Sequence, residues 1–175
     1  DAEKKEQFTT VMETVQSSLR DLRSTIYNLS DRMNHTDQFR GSIEAYLESM
    51  GKLSGIDMHV DMKGNFNDLA VGARKALYRI IAEGAGNAVK HASCSNIYVN
   101  LEVNEDKTVL TIKDDGIGFD VQKAEQEKRG LGLHNMKNLV RIFNGDISII
   151  SGEAEGTAID IKFDSRDVLK KAEYV

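Results

Sequence analysis

Proline is missing altogether from the 175 residues, which removes the commonest internal helix breaker and suits long uninterrupted helices. A single cysteine, Cys94, excludes an internal disulfide and fits a reducing compartment. It reads as a small side chain just past a helix end rather than a reactive group. No apolar run reaches the roughly 18 residues needed to span a bilayer, and the amino terminus lacks the charged-then-apolar layout of a signal peptide. A cytoplasmic location is expected. The chain starts at Asp1 rather than methionine, so it is expected to be cut from a longer parent, in which a membrane anchor elsewhere is compatible with this reading. Basic charge is also short. A net charge of −5 supplies no cationic stripe to displace counterions from phosphates, which argues against DNA and RNA as partners.

What remains is a globular composition, 40% hydrophobic and 29% charged, with room for one ordinary domain plus an extra element. Neither an internal repeat nor a low-complexity segment is present. From Phe8 the apolar residues fall at Met12, Val15, Leu19, Leu22, Ile26, Leu29 and Met33, a heptad seam that needs a helix packed along its length against others. A helix so narrowly striped has too little to bury alone. Residues 1–35 are therefore expected to form a coiled-coil or bundle helix, most simply by homodimerisation, with folding back on its own domain as the competing view. Turn and cap formers cluster at Asn34-His35-Thr36-Asp37, which places a boundary there. A domain over 36–164 and a charged tail over 165–175 follow.

Within that domain, Phe39, Ile43, Tyr46, Leu47, Met50 and Leu53 predict a helix stopped by Gly55. Ile56, Met58, Val60 and Met62 alternate as in a half-buried strand ended by Gly64-Asn65. Asp68 is expected to cap the next helix. The alternating runs Ile97–Val103 and Val109–Ile112, joined by Asn104-Glu105-Asp106-Lys107, predict an antiparallel hairpin. Asp120–Arg129 reads as a mobile loop or a weak helix. Gly130-Leu131-Gly132-Leu133 opens another helix, and two strands at Ile147–Ile149 and Ile159–Phe163 are joined by a link over Ser151–Thr157. The tail from Asp164 onward reads as a frayed helix. This order predicts an α/β two-layer sandwich, helices on one face of a mixed sheet.

The stretch Arg79–Ala92 is the chemical centre. As a helix it carries Glu83, Asn87, Lys90 and His91 on one polar face beside an apolar stripe of Leu77, Ile80, Ile81, Ala85, Ala88 and Val89. A carboxylate, an amide oxygen and two basic groups so spaced suit a nucleotide with Mg2+, which shares its oxygen ligands between protein and phosphates. A solvated helix face is the plainer alternative until partner motifs are counted. Two further stretches supply them. Asp114-Asp115-Gly116-Ile117-Gly118-Phe119 ends the hairpin with an acceptor and two glycines, a pattern also seen in ordinary and calcium-binding loops. Gly130-Leu131-Gly132-Leu133 places backbone amides at a helix start, where anions are attracted. A dinucleotide fingerprint fits poorly, since Asn135 stands where its third glycine belongs.

In this order, Glu83-x-x-x-Asn87-x-x-Lys90-His91-Ala92, Asp114-x-Gly116-x-Gly118-Phe119, Gly130-Leu131-Gly132-Leu133 and Gly156-Thr157 resemble the N box, the two glycine boxes and the terminal Gly-Thr of the Bergerat-fold ATPases. Within them the chain is similar to bacterial two-component sensor histidine kinases, in particular those paired with helix-turn-helix response regulators. The first 34 residues, including Leu22-Arg23-x-x-Ile26-Tyr27-x-Leu29, resemble the second helix of their dimerisation bundle.

The resemblance implies an ATP-dependent histidine kinase. Asp114 would accept the adenine amine, Asn87 would hold Mg2+ across the phosphates, and Glu83 would position the reacting groups or act as base. Lys90 and His91 would lie near the phosphates. Gly116 and Gly118 would let the loop pass the base, Gly130 and Gly132 would end the lid and help bind phosphate, Leu131 and Leu133 would be among the nucleotide-binding residues, and Thr157 would bond near the adenine. A histidine-bearing helix and a response regulator would be the protein partners. His35, His59, His91 and His134 do not match the phosphoacceptor context, so that helix is not among these residues. Gly84 and Gly86 depart from the larger residues expected there, at about 1 kcal/mol of helix propensity each. They favour a weakened, regulatory nucleotide module as an alternative, and an anti-sigma-factor serine kinase is another.

Overall fold

The computed structural model describes residues 36–126 and 131–170, all within the second of the chain's two units, Asn34–Val175. The heptad seam, His35, Gly130 and residues 171–175 lie outside the described residues.

Helix α1 spans Thr36–Ser54 and buries Phe39, Ile43 and Leu47 completely, one side chain per turn on a single stripe. Gly55 at φ +72° ends it, its N–H returning to Gly51 O at 2.8 Å as in a left-handed helix stop. Strand β1, Asp57–Gly64, leads to helix α2, Val71–Asn87, which runs on without a break as a π-helical turn over Ala88–Ala92. Strands β2, Asn96–Val103, and β3, Lys107–Asp114, form the predicted hairpin. Helix α3 covers Val121–Gln126 and helix α4 Leu131–Ile142. Strands β4, Asp146–Gly152, and β5, Gly156–Asp164, close the sheet, and the single turn α5, Ser165–Val168, follows.

The five strands lie in the order β1-β2-β3-β5-β4. β1 and β2 are parallel with α2 as their crossover, and the other pairs are antiparallel. The sheet is therefore mixed. One face supplies Ile97, Val99, Leu101, Leu110, Ile112, Ile159, Ile161 and Phe163 to a core shared with Leu77, Ile80 and Ile81 of α2 and Met136 and Val140 of α4. Burying each large aliphatic side chain contributes about 1.5–3 kcal/mol. The opposite face is polar: His59, Asn100, Lys113 and Ser148 are exposed there, and Thr111 donates to Asp160 at 2.8 Å. One helical layer on one sheet face is the two-layer sandwich that the patterning predicts.

Three local expectations are corrected. Asp68 does not cap α2: Ala70 is the N-cap and offers no side chain. Asp68 is two residues early, because Leu69 and Ala70 are extended to pair with Leu169 and Val168, and its carboxylate accepts from Asn65 Nδ2 at 2.9 Å instead. The link between the last two strands is shorter than the glycines and acidic residues suggest, since Ser151 pairs with Thr157 and Gly152 with Gly156. The start of the tail is not frayed. Asp164 caps α5 through Arg166 N–H, Ser165 and Val168 are buried, and Lys170 N–H reaches Asp68 O at 2.7 Å, so residues 165–170 fasten the start of α2.

Candidate functional site: a nucleotide-sized cavity

Between α2, the ends of β3 and β5 and the start of α4 lies a cavity of about 470 Å³, within the size range of small-molecule sites. Helix α2 and its π-helical turn supply Glu83, Gly84, Asn87, Ala88, His91 and Ala92 to its wall. The sheet supplies Ile112, Asp114, Thr157 and Ile159, the loop after β3 supplies Gly118 and Phe119, and α4 supplies Gly132 and Leu133. Eight of the sequence-predicted site residues thus meet around one space: Glu83, Asn87, His91, Asp114, Gly118, Gly132, Leu133 and Thr157. Lys90 is exposed and is not part of the wall. Gly116 lies behind it, and Leu131 is the first residue of α4.

Asp114 is 6% exposed at the end of β3. Its Oδ1 accepts the Gly116 N–H at 2.9 Å, which fixes the carboxyl plane. Thr157, its partner across the β3–β5 ladder, belongs to a small network. Ser151 Oγ accepts from Phe119 N–H at 2.9 Å, donates to Gly156 O at 3.0 Å and lies 3.1 Å from Thr157 Oγ1. With its only proton given to Gly156, Ser151 must accept from Thr157. Thr157 Oγ1 is left as an acceptor beside Asp114, a pairing suited to a donor such as an exocyclic amine.

Asp115 does something different. Its carboxylate accepts from Ser95 N–H, Asn96 N–H and Asn96 Nδ2 at 2.8, 2.9 and 2.8 Å, and these bonds hold it below the ordinary carboxylate range, Asn96 contributing most. Successive side chains of an extended strand point oppositely, so one aspartate enters the cavity while the other ties the loop to β2. Neither this tie nor Ser151 was foreseen from the sequence. The doubled aspartate at a strand end was the only available signal for the first.

The glycines act by close approach. A Cβ on Gly116 would come to 2.2 Å from Ala92 O, and one on Gly118, at φ +66°, to 2.0 Å from Gly152 O. The loop therefore lies directly on the end of the π-helical turn, where Ile117 N–H bonds Ala92 O at 2.8 Å. Gly84 is a packing residue: its Cβ would meet Ile112 Cδ1 at 2.7 Å, so the helix sits closer to the sheet than an alanine permits. That removes the ground for reading Gly84 as decay. At the other end of the cavity, Glu83 Oε1 lies against Gly132 in the first turn of α4. A carboxylate is favoured at that positive helix end. Cys94 is buried behind the site with its thiol pushed up by desolvation and then by the Asp114 charge.

For Mg2+, the cavity offers the Asn87 amide oxygen and the Glu83 carboxylate one turn apart. Among the described residues no group of three or more His, Cys, Asp or Glu could hold a metal ion without a ligand's help. Such a donor set fits an ion that takes most of its oxygens from phosphates and water. Among the described residues no helix is long and apolar enough to cross a membrane.

Comparison with known proteins agrees with this geometry. Residues 72–167 match the family model described as histidine kinase-, DNA gyrase B-, and HSP90-like ATPase. The sensor histidine kinase MctS of Rhizobium johnstonii is 29% identical over 165 residues, covering 93% of this chain and 36% of that protein. The signal transduction histidine-protein kinase/phosphatase DegS of Bacillus subtilis is 34% identical over 125 residues, covering 69% and 32%. The chain spans about a third of the length of these curated relatives. Among solved structures, the histidine kinase AdeS of Acinetobacter baumannii superposes with a TM-score of 0.60 at 17% identity, covering 88% of this chain and 80% of that one, a likeness of fold. A buried aspartate and threonine lining one cavity with Asn87 and Glu83, in a chain matched from residue 72 to residue 167, leave one assignment: this chain belongs to the histidine kinase-, DNA gyrase B- and HSP90-like ATPase family, as the ATP-binding domain of its sensor histidine kinase branch.

Proposed function

We propose that this chain is the catalytic portion of a sensor histidine kinase, moving the γ-phosphoryl group of ATP to a histidine on a bundle helix outside these residues, for relay to a response-regulator aspartate. The observation that carries this reading is the one cavity with Asp114 and Thr157 at one end and Asn87 and Glu83 at the other. Asp114 and Thr157 accept the adenine amine. Guanine presents a carbonyl there, and two facing acceptors cannot pair, so it is rejected. Asn87 supplies the protein oxygen for Mg2+, whose chemistry when bound is to neutralise charge on the phosphates. Glu83, one turn away, orients the incoming imidazole or takes its proton. Leu131, Gly132 and Leu133, in the first turn of α4, carry backbone amides toward the phosphates. Phosphoryl transfer asks for alignment and charge neutralisation rather than covalent help; the cavity walls would give the first and bound Mg2+ the second. Packing accounts for Gly84, one of the two glycines that favoured a weakened regulatory module, and the serine-kinase reading gains nothing from the geometry.

The test mixes this chain and Mg-ATP with a separate fragment carrying the histidine helix of a related kinase. Acid-labile, base-stable phosphate on the fragment is expected. No calorimetric heat and no thermal shift at millimolar Mg-ATP would overturn nucleotide binding itself. Dimerisation through residues 1–35 belongs to the same reading and is checked by analytical ultracentrifugation with and without that segment.

A further inference from the structure

At the end of the sheet, where β3, β5 and β4 lie side by side, three polar side chains stand in one row: Asp114 is paired with Thr157, and Thr157 with Ser151. Residues directly opposite on neighbouring strands share a face, so all three point to the side that holds the cavity. Asp114 and Thr157 line it. Ser151, one strand further out and half-buried, is not part of the wall.

Ser151 Oγ has three partners in reach: Phe119 N–H at 2.9 Å, Gly156 O at 3.0 Å and Thr157 Oγ1 at 3.1 Å. A serine hydroxyl brings one proton and two lone pairs. The Phe119 N–H can only donate and the Gly156 carbonyl can only accept, which takes one lone pair and the proton. For the third contact to be a hydrogen bond as well, the remaining lone pair must receive the Thr157 O–H. A threonine hydroxyl committed in this way has no proton for a ligand, and toward the cavity it offers lone pairs alone.

We propose that Ser151 is a positioning residue for base selectivity: by accepting the Thr157 O–H it keeps Thr157 an acceptor, so that the cavity admits a purine with an amine at position 6 and turns away one with a carbonyl there. Ser151 touches no part of the ligand and acts through Thr157. This rests on the reading of the cavity as an ATP site. Removing the Ser151 hydroxyl has two separable effects. Phe119 N–H loses its acceptor, which loosens the loop beside the cavity and weakens every nucleotide alike. Thr157 loses the partner that held its proton, and the freed O–H can turn to donate to a ligand carbonyl. Only the second effect changes a ratio of affinities.

The test measures dissociation constants by titration calorimetry, at fixed Mg2+, pH and salt, for ATP and for inosine triphosphate, which carries a carbonyl where ATP carries the amine. The wild-type chain should prefer ATP by about tenfold or more. In Ser151→Ala the preference should shrink about fivefold, the worth of one neutral hydrogen bond gained by the inosine nucleotide. Ser151→Cys, whose sulfur fills the space but accepts weakly, should move it the same way, and serves if alanine unsettles the hairpin. Ser151→Thr keeps the hydroxyl and should hold the wild-type preference within about twofold. In a Thr157→Val background, with no hydroxyl left to orient, Ser151→Ala should change the preference by less than about twofold. A preference unmoved in both Ser151→Ala and Ser151→Cys, or a shift of the same size in the Thr157→Val background, overturns the proposal, as does a wild-type chain that binds the two nucleotides equally. A wild-type chain that binds no ATP overturns the ATP-site reading instead, so the two failures are distinguishable.

Discussion

Gly84→Ala is the sharpest probe of how α2 meets the sheet, because two effects of similar size oppose each other. On an exposed helix this substitution stabilises by about 1 kcal/mol, since glycine loses more backbone freedom on folding than alanine. At this site the new methyl would stand 2.7 Å from Ile112 Cδ1, 3.4 Å from Ile112 Cγ2 and 3.6 Å from Ile159 Cδ1. Ile112 is 3% exposed and β-branched, hence stiff at χ1, so relief must come from χ2 or from lifting the helix. Forcing a methyl into a packed core costs about 1–3 kcal/mol. Subtracting the propensity gain leaves a net loss of about 1 kcal/mol, which for a domain of this size is a fall of about 3–5 °C in melting temperature. Urea denaturation with parallel thermal melts measures it. The double variant with Ile112→Val separates the causes: alone that truncation costs about 0.5–1.5 kcal/mol, but combined with Gly84→Ala it should recover most of the alanine's penalty, a non-additivity expected only of side chains in contact. A Gly84→Ala chain more stable than wild type by about 1 kcal/mol, with no coupling to Ile112, would refute the close approach and return Gly84 to the status of an ordinary helix-weakening glycine.

Asp114→Asn replaces a pure acceptor by a group that also donates; ATP affinity should fall tenfold or more, from about 2 kcal/mol for a bond to a charged group, with an unchanged circular dichroism spectrum. Asn87→Ala should lower affinity for Mg-ATP far more than for ATP in chelator, measured by the same titration. Acid should loosen the domain in a predictable window. Arg166 holds Asp164 down to about 2 and Asn96 holds Asp115 below its ordinary value of 3.8. A carboxylate depressed by folding stabilises above its unfolded value and loses that contribution as pH falls toward the folded one. Melting temperature should therefore drop between about pH 4 and 2, and less steeply in Asp164→Asn; an unchanged slope removes Asp164 from the account. Finally, burial and the Asp114 charge raise the Cys94 thiol. Iodoacetamide at pH 8 should label it slowly in the native chain and rapidly in urea, read by mass spectrometry.

Much of the architecture was legible because it depends on period alone. Alternation at Ile97, Val99 and Leu101 and a four-residue recurrence at Phe39, Ile43 and Leu47 record which side of each element is buried, and the structure buries those sides. Where the outcome hinged on neighbours distant in sequence, the residues were mute. Asp68 looks like a helix cap by type and position, yet the helix begins later because Leu169 pairs with Leu69 a hundred residues away. Asp114 and Asp115 are chemically identical in the sequence. Only the strand's alternation and the waiting N–H groups of Ser95 and Asn96 send one into the cavity and the other to the loop.

The polar face of α2 shows the same limit more finely. At the ordinary pitch Glu83, Asn87, Lys90 and His91 fall within about 100° of one another, with Lys90 at the edge. The structure puts Glu83, Asn87 and His91 on the cavity wall and leaves Lys90 off it, and the helix widens into a π-helical turn over Ala88–Ala92. No propensity scale predicts this widening, since Ala88-Val89-Lys90-His91-Ala92 contains neither proline nor glycine. Its end meets a tertiary contact: the Ala92 carbonyl, left without a donor at the helix end, accepts from Ile117 N–H, and the loop can reach that oxygen only because Gly116 lacks a side chain. Gly116→Ala should therefore act on Asp114 through the loop. If that contact holds the Asp114 carboxyl in place through the Gly116 N–H, the variant weakens ATP binding about as much as Asp114→Asn does, with titration calorimetry as the measurement. In Gly116→Ala, a further Asp114→Asn should then cost little, whereas simple addition of the two losses would show the carboxyl holding its place without the contact.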